Sequence, residues 1–429
     1  MKKILEVELS NQAELKAKII EFAGQFSYAS VLTSNEYEDS YGQYEFMAAI
    51  DSHRILKSDA NSFEQLKQFY ENSPSWLFGH FSYDLKNQLE KLESRRAKKF
   101  DFAELSFFEP KYLFLQKRGS RSIEIWLNSS AQQNTIEDLL KRTLNKNHSG
   151  TILPKLEAKQ SQSEYLKAIE TLKEEIQFGN IYEINYCTEF YAENCNINPV
   201  NTFQALNKKS PMPFGAFYKQ EENYLLCASP ERFINKKDLS IISQPIKGTA
   251  RRGKNVTEDQ LIQQQLKTDL KEQTENVMIV DIVRNDLSKT AAKKSVEVKE
   301  LMSVYSFPQV HQLISTIGSE LSNQHHFIDV IQEAFPMGSM TGAPKISAMK
   351  LADLHETSRR ELYSGSLGYI QPNGDFDFNV VIRSLLYSSE KNYLSLMVGG
   401  AITALSDAEQ EYEECLLKAK AIFDLNKVD

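Results

Sequence analysis

Short runs of β-branched, aromatic and alternating apolar residues outnumber the helical segments of this chain, and none opens into a glycine-rich phosphate loop. In the first part these runs fall at 28–34, 44–50, 75–85, 111–116 and 122–127, with helical spacing only at 12–25 and 62–72. Further on, strand-like runs at 223–228, 378–387 and 392–403 stand among helical segments at 161–179, 268–289, 343–357 and 406–425. A parallel sheet needs a crossover helix between successive strands, and there are too few helices in that rhythm. The pattern therefore predicts an α+β fold with antiparallel sheets, not a doubly wound nucleotide fold.

Local signals sharpen the helices. In 161–179, Tyr165, Ile169, Leu172 and Ile176 recur at three and four, Ser163 is placed to cap the start and Gly179 to end it. Pro344 suits the first helical position of its segment, and Ser406-x-x-Glu409 reads as a capping box for the last. From Gln132 the chain turns polar, and "NKNHSG" reads as a linker, so a boundary is expected near residue 155, dividing 1–155 from 156–429.

Composition excludes several classes. The net charge of −8 gives no electrostatic footprint for nucleic acid, and the basic clusters near Lys98 and Arg251 are too short to reverse that. The four cysteines have neither metal-site nor disulfide-framework spacing. The N-terminus lacks the apolar stretch of a signal peptide, and no window reaches the roughly 18 apolar residues of a membrane span. A cytoplasmic protein that binds neither nucleic acid nor membrane is expected.

Certain residues carry chemical potential. Glu272 and Glu275 share one helix face, as do Glu411 and Glu414, and hard divalent cations such as Mg²⁺ take such carboxylates; the same spacing also marks a solvated face. The segment "AFPMGSMTGAPK" runs small residues, among them Ser339 and Gly342, into a helix start, which describes an anion site and a plain junction equally well. Arg383 lies in an apolar strand, where a buried guanidinium needs an anion. His311 interrupts a similar run, and satisfaction within the core is the commoner fate of such a histidine. Lys247 in "SQPIKGTARRG" sits between Pro245 and Gly248, where a strand bends; read alone, it is a surface lysine on a turn.

Taken together, "GNIYEINY", "ASPERFI", "QPIKGTARRG", "ENVMIVDIVRNDL", "VHQLISTIGSEL", "FPMGSMTGAPKISAMK", "YSGSLGYI", "VVIRSLLY" and "VGGAITALSDAEQEYEECLLKAKAI" resemble, in order, the motifs of the chorismate-utilising enzymes. The resemblance covers about residues 160 to 425, so 156–429 would be the chorismate-binding catalytic domain. It implies the anthranilate synthase component I-like fold, two antiparallel β-sheets packed as a sandwich with helices outside.

Lys247 is the mark of the branch that forms 4-amino-4-deoxychorismate; anthranilate-forming members, the alternative, read P-I-A-G-T there. Glu183 stands where water-using members carry lysine and ammonia-using members usually glutamine. The resemblance implies that Lys247 attacks ring carbon 2 of chorismate and that Glu231 serves the departing 4-hydroxyl and then the incoming ammonia. Glu183 and His311 are the other implied catalytic positions. Ser339, Gly342, Tyr363, Arg383, Gly399, Gly400, Ala401 and Thr249 would hold substrate. Mg²⁺ would be held by Glu275 and Glu414, with Glu411 and Glu272 direct or through water. A nucleophilic lysine also predicts a lowered pKa at Lys247. No length remains for a glutaminase, so ammonia is expected from a glutamine amidotransferase partner or from solution.

Overall fold

The computed structural model describes residues 1–8, 12–129, 132–142, 153–307 and 310–426. The linker read in "NKNHSG" lies outside them.

The antiparallel expectation holds. One sheet runs in the order Lys2–Glu8, Ser122–Leu127, Leu105–Lys117, Tyr44–Ser58, Tyr28–Thr33, Phe214–Gln220, Asn223–Ser229, Ser384–Ser388, Tyr393–Ile402, Glu183–Ala192. A second runs Leu77–Phe81, Ser366–Ile370, Phe376–Asn379, Arg232–Lys237, Ser240–Gln244, Val310–Glu320, with Glu297–Ser306 and Ile246–Arg251 also paired to the last strand. The two join where Leu77–Phe81 pairs with the first half of Leu105–Lys117. Strands from both sides of residue 155 are therefore hydrogen-bonded neighbours: Tyr28–Thr33 with Phe214–Gln220, and Leu77–Phe81 with Ser366–Ile370.

The sheets face each other across two apolar clusters. One gathers Ala216, Leu225 and Leu386 of the first sheet with Phe78 and Tyr369 of the second. The other sets Cys187 and Met397 against Ile234, Ile317 and Phe378, and receives Ile279, Val283 and Leu287 of the helix Leu270–Ser288. The far face of the first sheet is covered by helices through Ile19, Tyr165, Ile169, Phe203, Leu206 and Ile422. Alternation explains an outer strand such as Ser122–Leu127, where Ile123, Ile125 and Leu127 are buried and their neighbours half-exposed. Glu183–Ala192 is different: it is covered on both faces, so its Glu183, Asn185 and Glu189 are polar groups held inside the protein.

Several local readings need correction. Ser161, not Ser163, caps Gln162–Gln177, in a capping box with Glu164, because it has the extended backbone that a cap requires. Gly179 does lie just past that helix at φ 80°. Asp407, not Ser406, caps Ala408–Phe423; the Ser406 hydroxyl instead accepts from the Thr403 amide. Pro344 sits one residue before Lys345–His355. The helix Leu270–Ser288 is preceded by another, Val256–Thr268, from which Asp269 separates it.

Candidate active site

The strand Ile246–Arg251 bulges between Ile246 and Thr249, and this aims Lys247 inward. Gly248 has φ 89°, and a Cβ there would lie 2.8 Å from Glu272 Oε2, so both conformation and space call for glycine. Asn276 Nδ2 donates to the Lys247 carbonyl at 3.0 Å, fixing the bulge to the helix Leu270–Ser288. The amine is buried, 7% exposed, and its Nζ donates to Glu183 Oε1 at 2.5 Å. This reverses one expectation. Burial pulls the Lys247 pKa down, but the carboxylates of Glu183 and Glu275 outweigh it and hold it above the ordinary value.

Glu231 follows the strand Asn223–Ser229 and lines the same cavity. Ser339 Oγ donates to Glu231 Oε1 at 2.6 Å. Burial pushes this carboxyl up to about 7, despite the opposing pull of Ser339 and Lys247. The site thus holds a carboxylic acid that carries its proton near neutrality beside a lysine paired with a carboxylate.

Thr249, Glu272, Glu275, Ser339, Tyr363, Arg383, Gly399, Ala401 and Glu414 also line the cavity, as the sequence reading expected. Arg383 stands at φ 53° and has no ion-pair partner among the described residues, so its fork is open to a carboxylate. The acids come with lysines that the sequence reading did not select. Lys271 Nζ lies 2.6 Å from Glu411 Oε1 and 3.8 Å from Glu275 Oε1. Lys418 Nζ lies 2.7 Å from Glu414 Oε1 and donates to the Gly399 carbonyl at 2.8 Å. Lys418 is the main reason the Glu414 carboxyl falls to about 2. No three metal-ligating side chains converge on one coordination sphere among the described residues. Two buried oxygens, Glu275 Oε1 and Glu411 Oε2, nevertheless accept no hydrogen bond, and they are the hard donors that Mg²⁺ takes.

Of the five expected residues outside the cavity lining, Glu183 and Glu411 reach it through the lining lysines Lys247 and Lys271, and the other three lie elsewhere. His311 is fully buried, with Nε2 2.8 Å from Asp259 Oδ1 and Nδ1 2.8 Å from Ser306 Oγ; both nitrogens are used in holding the strand. Its neighbour Gln312 takes the cavity-facing place, as alternation along a strand requires. Gly342 is behind the cavity: a Cβ there would lie 2.2 Å from the Glu183 carbonyl, so it permits the close pairing that seats Glu183. Gly400 backs onto Glu411 Oε2, 3.3 Å from where its Cβ would be. Lys271, Lys418, Asn185 and Gln312 were missed; the i, i+4 spacing of Glu414 and Lys418 was the available signal.

Residues 14–424 match the family model for chorismate binding enzymes. The chain belongs to this family. A probable chloroplastic aminodeoxychorismate synthase from Oryza sativa subsp. japonica is 41% identical over 61% of this chain and 29% of its own length. The chain thus spans less than a third of that relative. Aminodeoxychorismate synthase component 1 from Klebsiella aerogenes is 33% identical over 80% of this chain and 75% of its own. Among solved structures, anthranilate synthase component I from Streptococcus pneumoniae TIGR4 aligns with TM-score 0.78 at 22% identity, covering 90% of this chain and 93% of that one. The menaquinone-specific isochorismate synthase from Escherichia coli aligns with TM-score 0.77 at 19% identity, over 99% and 95%. These likenesses show the fold.

Proposed function

We propose that this chain aminates chorismate to 4-amino-4-deoxychorismate through a covalent adduct on Lys247. The observation that carries the reading is the buried Lys247–Glu183 pair beside a raised Glu231. Glu183 is placed to take a proton from the lysine, which frees the nitrogen lone pair. The neutral Nζ attacks ring carbon 2, both conjugated ring double bonds shift, and the bond from carbon 4 to its hydroxyl breaks. Glu231 gives its proton to that hydroxyl, which leaves as water. Ammonia then adds at carbon 4, both double bonds shift back, and the carbon 2–Nζ bond breaks. Glu231, now ionised, takes the extra proton from the incoming nitrogen.

Arg383, with Tyr363 and the backbone at Gly399 and Ala401, suits the two carboxylates of the substrate. A Mg²⁺ ion held by Glu275 and Glu414, with Glu411 and Glu272, would supply positive charge to the ring carboxylate. Ammonia would come from a glutamine amidotransferase partner, and a separate lyase would release 4-aminobenzoate for folate synthesis. The names of the relatives support the same product, and Lys247 supports it against the anthranilate alternative.

The test is product identification from chorismate, ammonium and Mg²⁺, with and without added lyase. The expected result is aminodeoxychorismate, with 4-aminobenzoate formed only when lyase is present. Anthranilate formed without lyase overturns the reading. Intact-mass measurement without ammonia should show an adduct on the natural chain and none on Lys247→Ala.

A further inference from the structure

One buried side chain bonds two walls of the reaction cavity without lining it. Arg360 is 2% exposed and Glu356 4%, and the cavity lining includes neither. They stand four residues apart, just past the helix Lys345–His355, and Glu356 ends that helix with extended backbone. Every nitrogen of the guanidinium has an acceptor. Nε donates to Glu356 Oε2 at 2.9 Å, and Nη2 donates to Glu356 Oε1 at 2.5 Å and to the Asn185 carbonyl at 2.7 Å. Nη1 donates to the Met340 carbonyl at 2.7 Å and to Ser364 Oγ at 3.4 Å. The fork lies over the Tyr83 ring, 4.5 Å from its centroid.

The two carbonyls belong to the two halves of the proposed chemistry. Asn185 is two residues from Glu183, the partner of Lys247, on the strand Glu183–Ala192. Met340 follows Ser339, the partner of Glu231, in the turn Gly338–Met340. A third link reaches the substrate wall: the amide of Tyr363, whose side chain lines the cavity, donates to the Arg360 carbonyl at 2.9 Å.

The sheet explains why side chains are needed here. Glu183–Ala192 is covered on both faces, so its backbone groups must be paired within the protein. Tyr393–Ile402 pairs along one edge. On the other edge Gly342–Ala343 pairs with Ile184 and Glu183, and Glu157–Ala158 with Tyr191 and Phe190. Among the described residues no strand pairs with that edge between these two. There Arg360 takes the Asn185 carbonyl, and Glu356 Oε1 accepts from the Cys187 amide at 3.0 Å. The ion pair thus stands in for a missing stretch of strand, and Nη1 reaches across from it to the turn that carries Ser339. A buried ion pair is weak evidence for stability, and fixing a register is its better-attested use. The planar fork holds its two carbonyls at one separation, which the single rotating ammonium of a lysine cannot do.

We infer that Arg360, held by Glu356, is a positioning residue that sets the spacing between the Lys247–Glu183 pair and the Glu231–Ser339 pair. The inference rests on the proposed amination, in which the lysine adds at carbon 2 and the acid acts at carbon 4 of one ring, so both pairs must fit one substrate at once.

The test compares Arg360→Lys and Glu356→Gln with the natural chain, below the melting temperature of all three. Arg360→Lys keeps the charge and loses the fork; Glu356→Gln keeps the shape and loses the charge. For Arg360→Lys, kcat for aminodeoxychorismate formation should fall about 10²-fold, the scale of a 1 Å misplacement of reacting groups. For Glu356→Gln it should fall about tenfold, the scale of one charge-assisted hydrogen bond. Chorismate affinity, measured by calorimetry, should stay within about threefold, because Arg383 is untouched. The alkaline limb of the rate profile should move to higher pH in both variants, since the Ser339 hydrogen bond opposes the rise that burial gives Glu231 and a shifted turn weakens it. A purely architectural role would lower the melt and leave kcat and the pH profile unmoved. A folded Arg360→Lys with kcat within about threefold of the natural value overturns the inference. Should Arg360→Lys not fold, Glu356→Gln decides by the same criterion, and failure of both to fold assigns the pair to architecture alone and also overturns it. If the natural chain makes no amino product from chorismate and ammonium, the amination reading falls instead, and that result is in hand before any variant is compared.

Discussion

Glu231 and Lys247 lie in one cavity and are raised by different causes, the acid by burial and the amine by carboxylates. For Glu231 the consequence is a pH dependence with a definite sign. A carboxyl raised to about 7 is protonated in the folded state where the unfolded chain would already be ionised. Its favourable contribution is full below the ordinary carboxyl range and is lost as pH rises through about 7. Glu231→Gln should therefore gain stability over the natural chain above pH ~8, by about 3 kcal/mol, in denaturant melts. Its kcat should fall by roughly 10²–10⁴, and the decline of rate above about pH 7 should vanish from its profile. The metal reading has its own readout. Calorimetric Mg²⁺ titration should give binding heat with the natural chain and none with Glu275→Gln, and heat retained in that variant sinks the assignment. At this scale the sequence was informative about which residues meet through the motifs that resemble the family, since Lys247 read alone was a surface lysine on a turn. It was misleading about Lys247's proton affinity, since the distance to Glu183 is a tertiary fact that no motif contains.

Elements decide which side chain of a motif reaches the cavity. In Val310–Glu320, His311 and Gln312 are consecutive and so point to opposite faces. Read from its apolar run, His311 was a histidine satisfied within the core, and only the family resemblance implied a catalytic role for it. Nothing local tells which face of a doubly covered strand meets substrate. The structure gives His311 to Asp259 and Ser306, and Arg252 also pairs with Asp259 at 2.8 Å, joining that strand to Val256–Thr268. His311→Ala should lower stability by about 1–3 kcal/mol in a chemical melt while kcat stays within about threefold. Gln312→Ala should do the reverse, leaving the melt unchanged and lowering kcat/KM for chorismate by about tenfold, since Gln312 Oε1 is buried without a partner beside the cavity. If the two variants exchange these phenotypes, the face assignment is wrong. The capping errors have a similar origin: Ser161 and Ser163, or Ser406 and Asp407, are all residue types that cap helices, and only backbone geometry chooses between them.

On the scale of the whole molecule, the boundary expected near residue 155 divides the chain in sequence, while the sheets run across it. Phe214–Gln220 has one neighbour from after residue 155, Asn223–Ser229, and one from before it, Tyr28–Thr33. Ser366–Ile370 likewise lies between Phe376–Asn379 and Leu77–Phe81. Removing 1–155 would strip one neighbour from each strand and expose two long hydrogen-bonding edges. It would also uncover Ala216, Leu225 and Tyr369, which pack in one cluster with Phe78, Phe108 and Leu113. The strand runs were legible in the sequence, but their partners were not, because alternation says which face is buried and nothing about which strand lies beside it. Pairings between residues 193 or more positions apart are invisible to any local pattern; Tyr28 Oη, for example, bonds Glu221 Oε1 at 2.9 Å. The physical expectation is one cooperative unit. Thermal unfolding followed by circular dichroism and by tryptophan fluorescence should give coincident transitions, although both tryptophans, Trp76 and Trp126, lie before the boundary. A fragment of residues 156–429 should be aggregated or lack a cooperative melt. A soluble fragment with a sharp transition of its own would show that the sheet edges are dispensable, and that the boundary in the sequence is also a boundary in the fold.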